Sequence, residues 1–126
     1  MELLALPLAK PRFTCPLSGF QAVTAGKHKL RVLWALRSGP LHFGELKRAA
    51  SVFSEFAMTP KGLSRELKAL ESHGLVAHRT VPGTVRRTEY RLAPLGEELI
   101  PLVGAMCQWA LTHFEIISPG PEECPN

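Results

Sequence analysis

The stretch GLSRELKALESHGLV, residues 62 to 76, decides how this chain is read. Leu63, Leu67 and Leu70 recur at spacings of four and three, and Leu75 follows. Such spacings place side chains on one stripe of a helix with 3.6 residues per turn. Lys61, Ser64, Arg65 and Lys68 fall on the other face. A solvated helix face ordinarily mixes its charges. This one is basic in its first two turns, with Glu66 and Glu71 to the side or at the far end. The stretch predicts a helix braced by leucines and presenting cations outward; the plain alternative is an amphipathic helix with a merely soluble outer face.

Immediately upstream, Thr59-Pro60 reads as an N-cap followed by proline in the first helical position. The helix should end near His73-Gly74. The apolar period then changes. LVAHRTV, residues 75 to 81, and VRRTEYRL, residues 85 to 92, flank the turn residues Pro82-Gly83-Thr84 and predict a hairpin. Further upstream, KHKLRVLWALRSG, residues 27 to 39, carries Leu30, Val32, Leu33, Trp34 and Leu36 and predicts the central core helix. LHFGELKRAA, residues 41 to 50, predicts a helix with Phe43, Leu46 and Ala50 inward. CPLSGFQAVTAG, residues 15 to 26, predicts a short helix stopped by Gly26. SVFSEFAM, residues 51 to 58, either extends the preceding helix by a turn or forms a loop. PLGEELIPLVGAMCQWALTHFE, residues 94 to 115, predicts a long helix with a broad apolar face and a point of kinking at Pro101. Residues 1 to 14 read as an N-terminal arm, 15 to 115 as the folded domain, and 116 to 126 as a disordered tail.

A chain of 126 residues makes one domain with a modest core. With 45% apolar and 21% charged residues, it has the composition of a soluble globular protein. Its net charge of +4 is unevenly distributed. Residues 27 to 91 hold thirteen Lys and Arg against five Glu, a net of +8, whereas residues 92 to 126 hold five Glu and no Lys or Arg. A basic centre suits an anionic partner, although basic residues also serve solubility. No apolar run is long enough to span a membrane. The opening MELLALPLAKPRF lacks a basic region before its apolar run, so no signal peptide is expected. Three widely spaced cysteines form no disulfide framework and fit a reducing cytoplasm.

Helix, helix, turn, helix and two-stranded ribbon is the order of a winged helix-turn-helix. The predicted class is mainly α with a small β-hairpin wing, an α+β arrangement. In such domains the second helix of the motif enters the DNA major groove while the preceding helix crosses the backbone. Lys61, Ser64, Arg65 and Lys68 would then face double-stranded DNA. Arg suits the two acceptors of a guanine edge; Lys and Ser suit phosphates or bases less selectively. Arg79, Arg86 and Arg87, read as lying near the hairpin tip, would touch phosphate or the minor groove.

The segment from Cys15 to Trp109 resembles the HxlR family of bacterial winged-helix transcription regulators, which are related to the MarR type. The resemblance lies in CP at 15 to 16, GK at 26 to 27, SGPLHFGELKRA at 38 to 49 and TPKGLSRELKALESHGLV at 59 to 76. It continues with EYRLAPLGEELIPLV at 89 to 103 and MCQW at 106 to 109. It implies a homodimer whose terminal helices form the subunit contact and whose paired recognition helices meet a pseudo-palindromic operator. Carried across by position, Thr59 joins Lys61, Ser64, Arg65 and Lys68 on the recognition helix, and Arg79, Arg86 and Arg87 fall on the wing. Two features depart from the family pattern. His28 stands where an aromatic usually follows the GK, and the linker at 51 to 58 is several residues longer than usual. On the last helix, Leu99, Leu102, Met106, Trp109 and Phe114 would leave an apolar patch on a monomer, which a two-fold dimer would cover. The alternative is that this helix folds back over its own core.

Cys15 sits where many members of the family keep an N-terminal cysteine, which in some senses oxidants or electrophiles. A helix N-terminus and the nearby Arg12 would favour the thiolate at this candidate redox sensor. Otherwise it is a small buried hydrophobe. Cys107 reads as a packing residue and Cys124 belongs to the tail. His28, His42, His73, His78 and His113 are scattered and Asp is absent, so neither a metal site nor another cofactor is expected. His42 could reach a phosphate; a plain surface role is the simpler reading. No nucleophile-base pattern or phosphate loop points to an enzyme, and no catalytic residue is assigned. The sequence reading is therefore a cytoplasmic, homodimeric DNA-binding regulator responding to a small-molecule or oxidant effector. A small-molecule pocket would lie between the dimer helix and the core. The rival is a winged-helix module that binds protein and not DNA.

Overall fold

Val32, Leu33 and Leu36 lie at the centre of the molecule with almost no exposed surface. Around them the computed structural model describes residues 15–26, 28–52, 58–83 and 87–117. The expected arm, Lys27, most of the linker, Arg86 and the tail from residue 118 with Cys124 lie outside the described residues. The elements run α1 (Pro16–Thr24), α2 (Lys29–Ala35), β1 (Leu41–His42), α3 (Phe43–Ser51) and α4 (Pro60–Ser72). They continue with β2 (Val76–Val81), β3 (Arg87–Leu92), α5 (Pro94–Thr112) and α6 (Phe114–Ile117). Among the described residues no helix is long and apolar enough to cross a membrane.

The expected leucine stripe is the heart of the packing. Leu63, Leu67 and Leu70 of α4 are buried with Leu46 and Ala50 of α3 and with Val32, Leu33 and Leu36. Leu75, Val76 and Leu92 from the base of the hairpin complete one cluster. Met58, at the end of the linker, is buried in it as well, and its amide donates to Ser51 Oγ at 3.1 Å. α3 ends at Ser51.

Two local devices set the ends of α4. Thr59 Oγ1 accepts from the Gly62 amide at 3.0 Å, as its N-cap position predicts. At the other end Gly74 takes φ +77. Its amide donates to Glu71 O at 3.0 Å and that of Leu75 to Leu70 O at 3.0 Å. This is a Schellman stop, which needs the left-handed residue that glycine supplies without strain. Leu70 and Leu75, brought together by it, are both core residues.

The sheet has one strand more than the sequence predicts. Leu41 and His42 were expected to open the third helix. They instead pair with β3, Leu41 opposite Tyr90 and His42 opposite Glu89, giving the antiparallel order β1-β3-β2. The helix starts later because His42 caps it. The Glu45 amide donates to His42 Nδ1 at 3.4 Å, and the His42 amide donates to Glu45 Oε1 at 3.1 Å. Such a reciprocal box satisfies two otherwise unpaired amides. Histidine is a weak cap signal, and a two-residue strand exists only through its partner, so neither was legible locally.

α5 continues through Pro101, and the chain turns at His113 into α6. The helical structure thus reaches Ile117, two residues beyond the expected domain end, with Ile116 and Ile117 donating to His113 O at 2.9 and 3.1 Å. The start of α5 crosses the beginning of β2 at very short range. The Ala93 amide donates to Leu75 O at 2.9 Å, and a Cβ on Gly96 would lie 2.2 Å from that oxygen. Only glycine permits this crossing. We expect Gly96→Ala to destabilise the fold by about 3 kcal/mol, because the colliding partner is backbone and cannot swing away. Urea unfolding at fixed protein concentration measures it. A variant within about 0.5 kcal/mol of wild type, the usual range for an innocuous surface change, would show that the two segments are not held so closely.

Candidate nucleic-acid interface

With its leucines buried, α4 turns Lys61, Arg65 and Lys68 outward, all exposed, with Ser64 half-buried beside them. The i, i+4, i+7 spacing aligns the three cations along one face. Thr59 is exposed at the N-terminus, its oxygen engaged in the cap. Gly62 keeps that first turn slim: a Cβ there would lie 3.0 Å from Thr59 Oγ1.

The two acids of α4 do not neutralise this face, because each is drawn to a neighbour. Lys29 Nζ of α2 donates to Glu66 Oε1 at 2.8 Å, with both side chains largely buried. Glu71 Oε2 meets His78 Nδ1 of β2. Among the described residues Lys61, Arg65 and Lys68 form no ion pair. Sequence reasoning missed both pairings. Lys29 and Glu66 stand 37 residues apart, and no local pattern links them. Truncating either partner would strand a charge that is mostly removed from water, so the bridge also holds the register of α4 on α2.

The hairpin brings only part of its expected set to the tip. Arg87 opens β3 opposite Val81 and is exposed. Arg79 lies further down, opposite Glu89, and its Nε donates to Glu89 Oε1 at 2.9 Å. Its charge is therefore matched across the strands, which places it away from the tip position the sequence reading assigned. Arg86 lies outside the described residues. Behind the hairpin, the Tyr90 ring packs 6.3 Å from Phe43 and 5.8 Å from His78, centre to centre, joining α3 to the sheet. Burial, and secondarily the Glu71 carboxylate, push its phenol pKa up, so it stays neutral. His42 caps α3, where the sequence suggests a surface or phosphate-contacting role.

The last helix divides its apolar residues. Val103 is buried and Leu99 packs half-buried on the core. Leu102, Met106 and Trp109 are exposed, at 56, 44 and 57%, on one stripe. Phe114 is half-buried in α6, while Ile116 and Ile117 add to the exposed apolar surface. Trp109 stacks on His113 with ring centres 4.8 Å apart. Cys107 is exposed, not packed, because the helix turns that flank away from the core.

Cys15 occupies the N-cap of α1, with Pro16 in the first helical position. Its thiol makes no full capping hydrogen bond, yet the amides of Ser18 and Leu17 lie close enough to hold its pKa below the ordinary value. The Ser18 hydroxyl adds to this, while partial burial opposes it. Arg12, the other expected influence, lies outside the described residues. Among the described residues no group of three or more His, Cys, Asp or Glu could hold a metal ion.

Three cations on a helix braced by leucines, a two-stranded wing beside it and a long apolar terminal helix are the parts of a known regulator class. The profile of the HxlR-like helix-turn-helix family matches residues 23–117. The chain belongs to that family. As an HxlR-type protein it is a transcriptional regulator of the helix-turn-helix class. YdzF of Bacillus subtilis, an HTH-type transcriptional regulator, is 36% identical over 93 residues, which are 73% of this chain and 81% of YdzF. Among solved structures, a MarR-family protein from Porphyromonas gingivalis W83 superposes with TM-score 0.68 at 28% identity, covering 84% of this chain and 97% of that one. The redox regulator HypR in its oxidized form superposes with TM-score 0.69 at 26% identity, covering 78% and 96%. These relatives are regulators by name, and the fold is the MarR-like winged helix.

The lowered thiol pKa of Cys15 has a measurable consequence. In a protein with Cys107→Ser and Cys124→Ser, alkylation of Cys15 by iodoacetamide should rise with pH to a midpoint below that of free cysteine. At neutral pH it should accordingly proceed faster. A profile coincident with free cysteine would mean that the α1 amides do not stabilise the thiolate.

Proposed function

We propose that the protein binds operator DNA as a homodimer, with α4 in the major groove and the wing on the adjacent backbone. The observation that carries this reading is the outward face of α4, where Lys61, Arg65 and Lys68 have no ion-pair partner among the described residues while Glu66 and Glu71 are paired behind it. Thr59 and Ser64 sit at the start of the same surface, and Arg87, with Arg86, forms the wing contact. Arg79 is bound to Glu89 and contributes less. Phosphate contacts from Lys and Arg provide most of the affinity, and Arg65 reads a base edge.

Two copies pair through the exposed stripe of Leu102, Met106 and Trp109, with Leu99 and Phe114 at its margins. That stripe is a contiguous apolar surface of the kind that marks an association site. A two-fold pairing would fix the spacing of the two recognition helices. The regulator works in the cytoplasm, and its DNA affinity answers a redox or small-molecule signal. Cys15 is the residue we assign to oxidants or electrophiles; HypR, the structural relative described above, is a redox regulator by name.

Fluorescence anisotropy with a duplex from its own promoter region and a scrambled duplex, each at two salt concentrations, tests the DNA reading. Arg65→Ala should cost about 1–3 kcal/mol on the preferred duplex and shrink the difference between the two. Arg87→Ala should weaken both alike and lower the salt slope by about one. If neither substitution moves affinity, or if affinity is insensitive to salt, the protein-binding alternative takes its place.

Leu102→Glu with Met106→Glu addresses the dimer. Sedimentation at micromolar concentration should show the wild type as a dimer and the double variant as a folded monomer. Persistence of the dimer in the variant would move the subunit contact elsewhere.

A further inference from the structure

Lys29 and Glu66 form their bridge where three elements meet. Lys29 opens α2, Glu66 stands on the flank of α4, and the bend that follows α1 passes close to both. At that bend Gly26 takes φ +115, and a Cβ on it would lie 3.4 Å from Lys29 Nζ and 3.9 Å from Glu66 Oε2. The bridge is largely shielded from water, its side chains being 15% and 13% exposed. Thr24, the last residue of α1, is buried and its hydroxyl donates to Phe20 O at 2.8 Å, which anchors this end of α1. The other end is open, with Pro16, Leu17 and Ser18 exposed. Glu66 also has a second place to lie. Helical side chains lean towards the helix N-terminus and cover the turn before their own. Four residues before Glu66 stands Gly62, which has no side chain to fill that space. A released Glu66 carboxylate would lie over Gly62, beside Lys61 and Arg65.

We propose that Lys29, which stands on α2 and not on the α4 face, is a positioning residue for DNA binding, and that the bend at Gly26 controls it. The proposal rests on the DNA reading above and adds a point of regulation to it. While the bend covers the bridge, Lys29 holds Glu66 against the domain and the α4 face presents its three cations. When the bend moves, water reaches the pair, the attraction falls as the local dielectric rises, and Glu66 turns towards the face. A carboxylate there subtracts one charge from the surface that meets the phosphates and repels them. Gly26 suits this role because an L side chain is strained at φ +115, so the backbone of any other residue has to shift. A load on the open half of α1 would reach α4 by the same route.

Two measurements on the full-length protein test this. The first uses the duplexes and salt concentrations of the anisotropy experiment above. Lys29→Met leaves Glu66 unpaired and should weaken binding to both duplexes about three- to tenfold at low salt, with a smaller loss at high salt. Lys29→Arg, which keeps the charge, should restore most of it. Lys29→Met with Glu66→Gln should bind within about twofold of wild type, because no acid remains to be held. Gly26→Ala should also weaken binding, and adding Glu66→Gln should cancel that loss. A merely structural role would leave both double variants as weak as the single ones. The second measurement needs no DNA. Acetylation of Lys29 by acetic anhydride, read by peptide mass spectrometry, should be at least about tenfold slower than that of exposed Lys61, since it requires the pair to open. In Gly26→Ala the two rates should converge. Circular dichroism checks that each variant is folded; if Gly26→Ala is not, the Lys29 variants and the wild-type labelling still decide. Wild-type affinity in Lys29→Met, no rescue by Glu66→Gln, or fast Lys29 labelling in the wild type overturns the proposal. Failed rescue with salt-dependent wild-type binding strikes the role of Lys29 alone. Protection of Lys29 that Gly26→Ala abolishes, without DNA binding, strikes the regulator reading alone.

Discussion

Burial of Leu63, Leu67 and Leu70 against α2 and α3 is the constraint on which the rest of the structure depends. Each leucine removed from water contributes about 1.5–3 kcal/mol, and the three share one stripe, so the helix has one favourable rotation about its axis. That rotation leaves Lys61, Arg65 and Lys68 in solvent. Turning α4 by a third of a circle would bury cations and expose leucines together. The direction of the basic face is therefore a by-product of core packing and needs no partner to hold it.

Electrostatics sharpen what packing begins. α4 carries two acids and three cations on its exposed and flanking surfaces. Left alone, they would make the mixed face of an ordinary soluble helix. Lys29 and His78, from elements on either side, draw Glu66 and Glu71 away. The positive potential of the outer face thus depends on residues distant in the chain. Across the hairpin the same logic works in the opposite sense: Glu89 compensates Arg79.

The terminal helix serves two masters. Its first turns lock onto the domain through the contact of Gly96 with the Leu75 carbonyl, and Leu99, Ile100 and Val103 face inward. Beyond these the same helix carries Leu102, Met106 and Trp109 on the outside. One rigid rod thus joins the base of the wing to an apolar surface. A subunit contact at that surface would be joined to the base of the wing by one continuous helix.

Period and punctuation determined most of the helices and the hairpin by themselves. Leucines at spacings of three and four, Thr59-Pro60 at one end and His73-Gly74 at the other are local signals, and helices form by local hydrogen bonds. The outward direction of the α4 cations was legible for the same reason, since the face opposite a buried stripe follows from the stripe. Only the tertiary structure decided what depends on distant partners. β1 exists through pairing with β3, and His42 caps α3 where that strand ends. Arg79 is neutralised by a residue across the sheet, and Cys107 is turned outward by the packing of α5. Glu66 and Glu71 are removed from the basic face by Lys29 and His78. Sequence encodes which residues prefer to be inside a helix or at its ends. Which charges remain uncompensated is settled by contacts between elements, and those have no period to read.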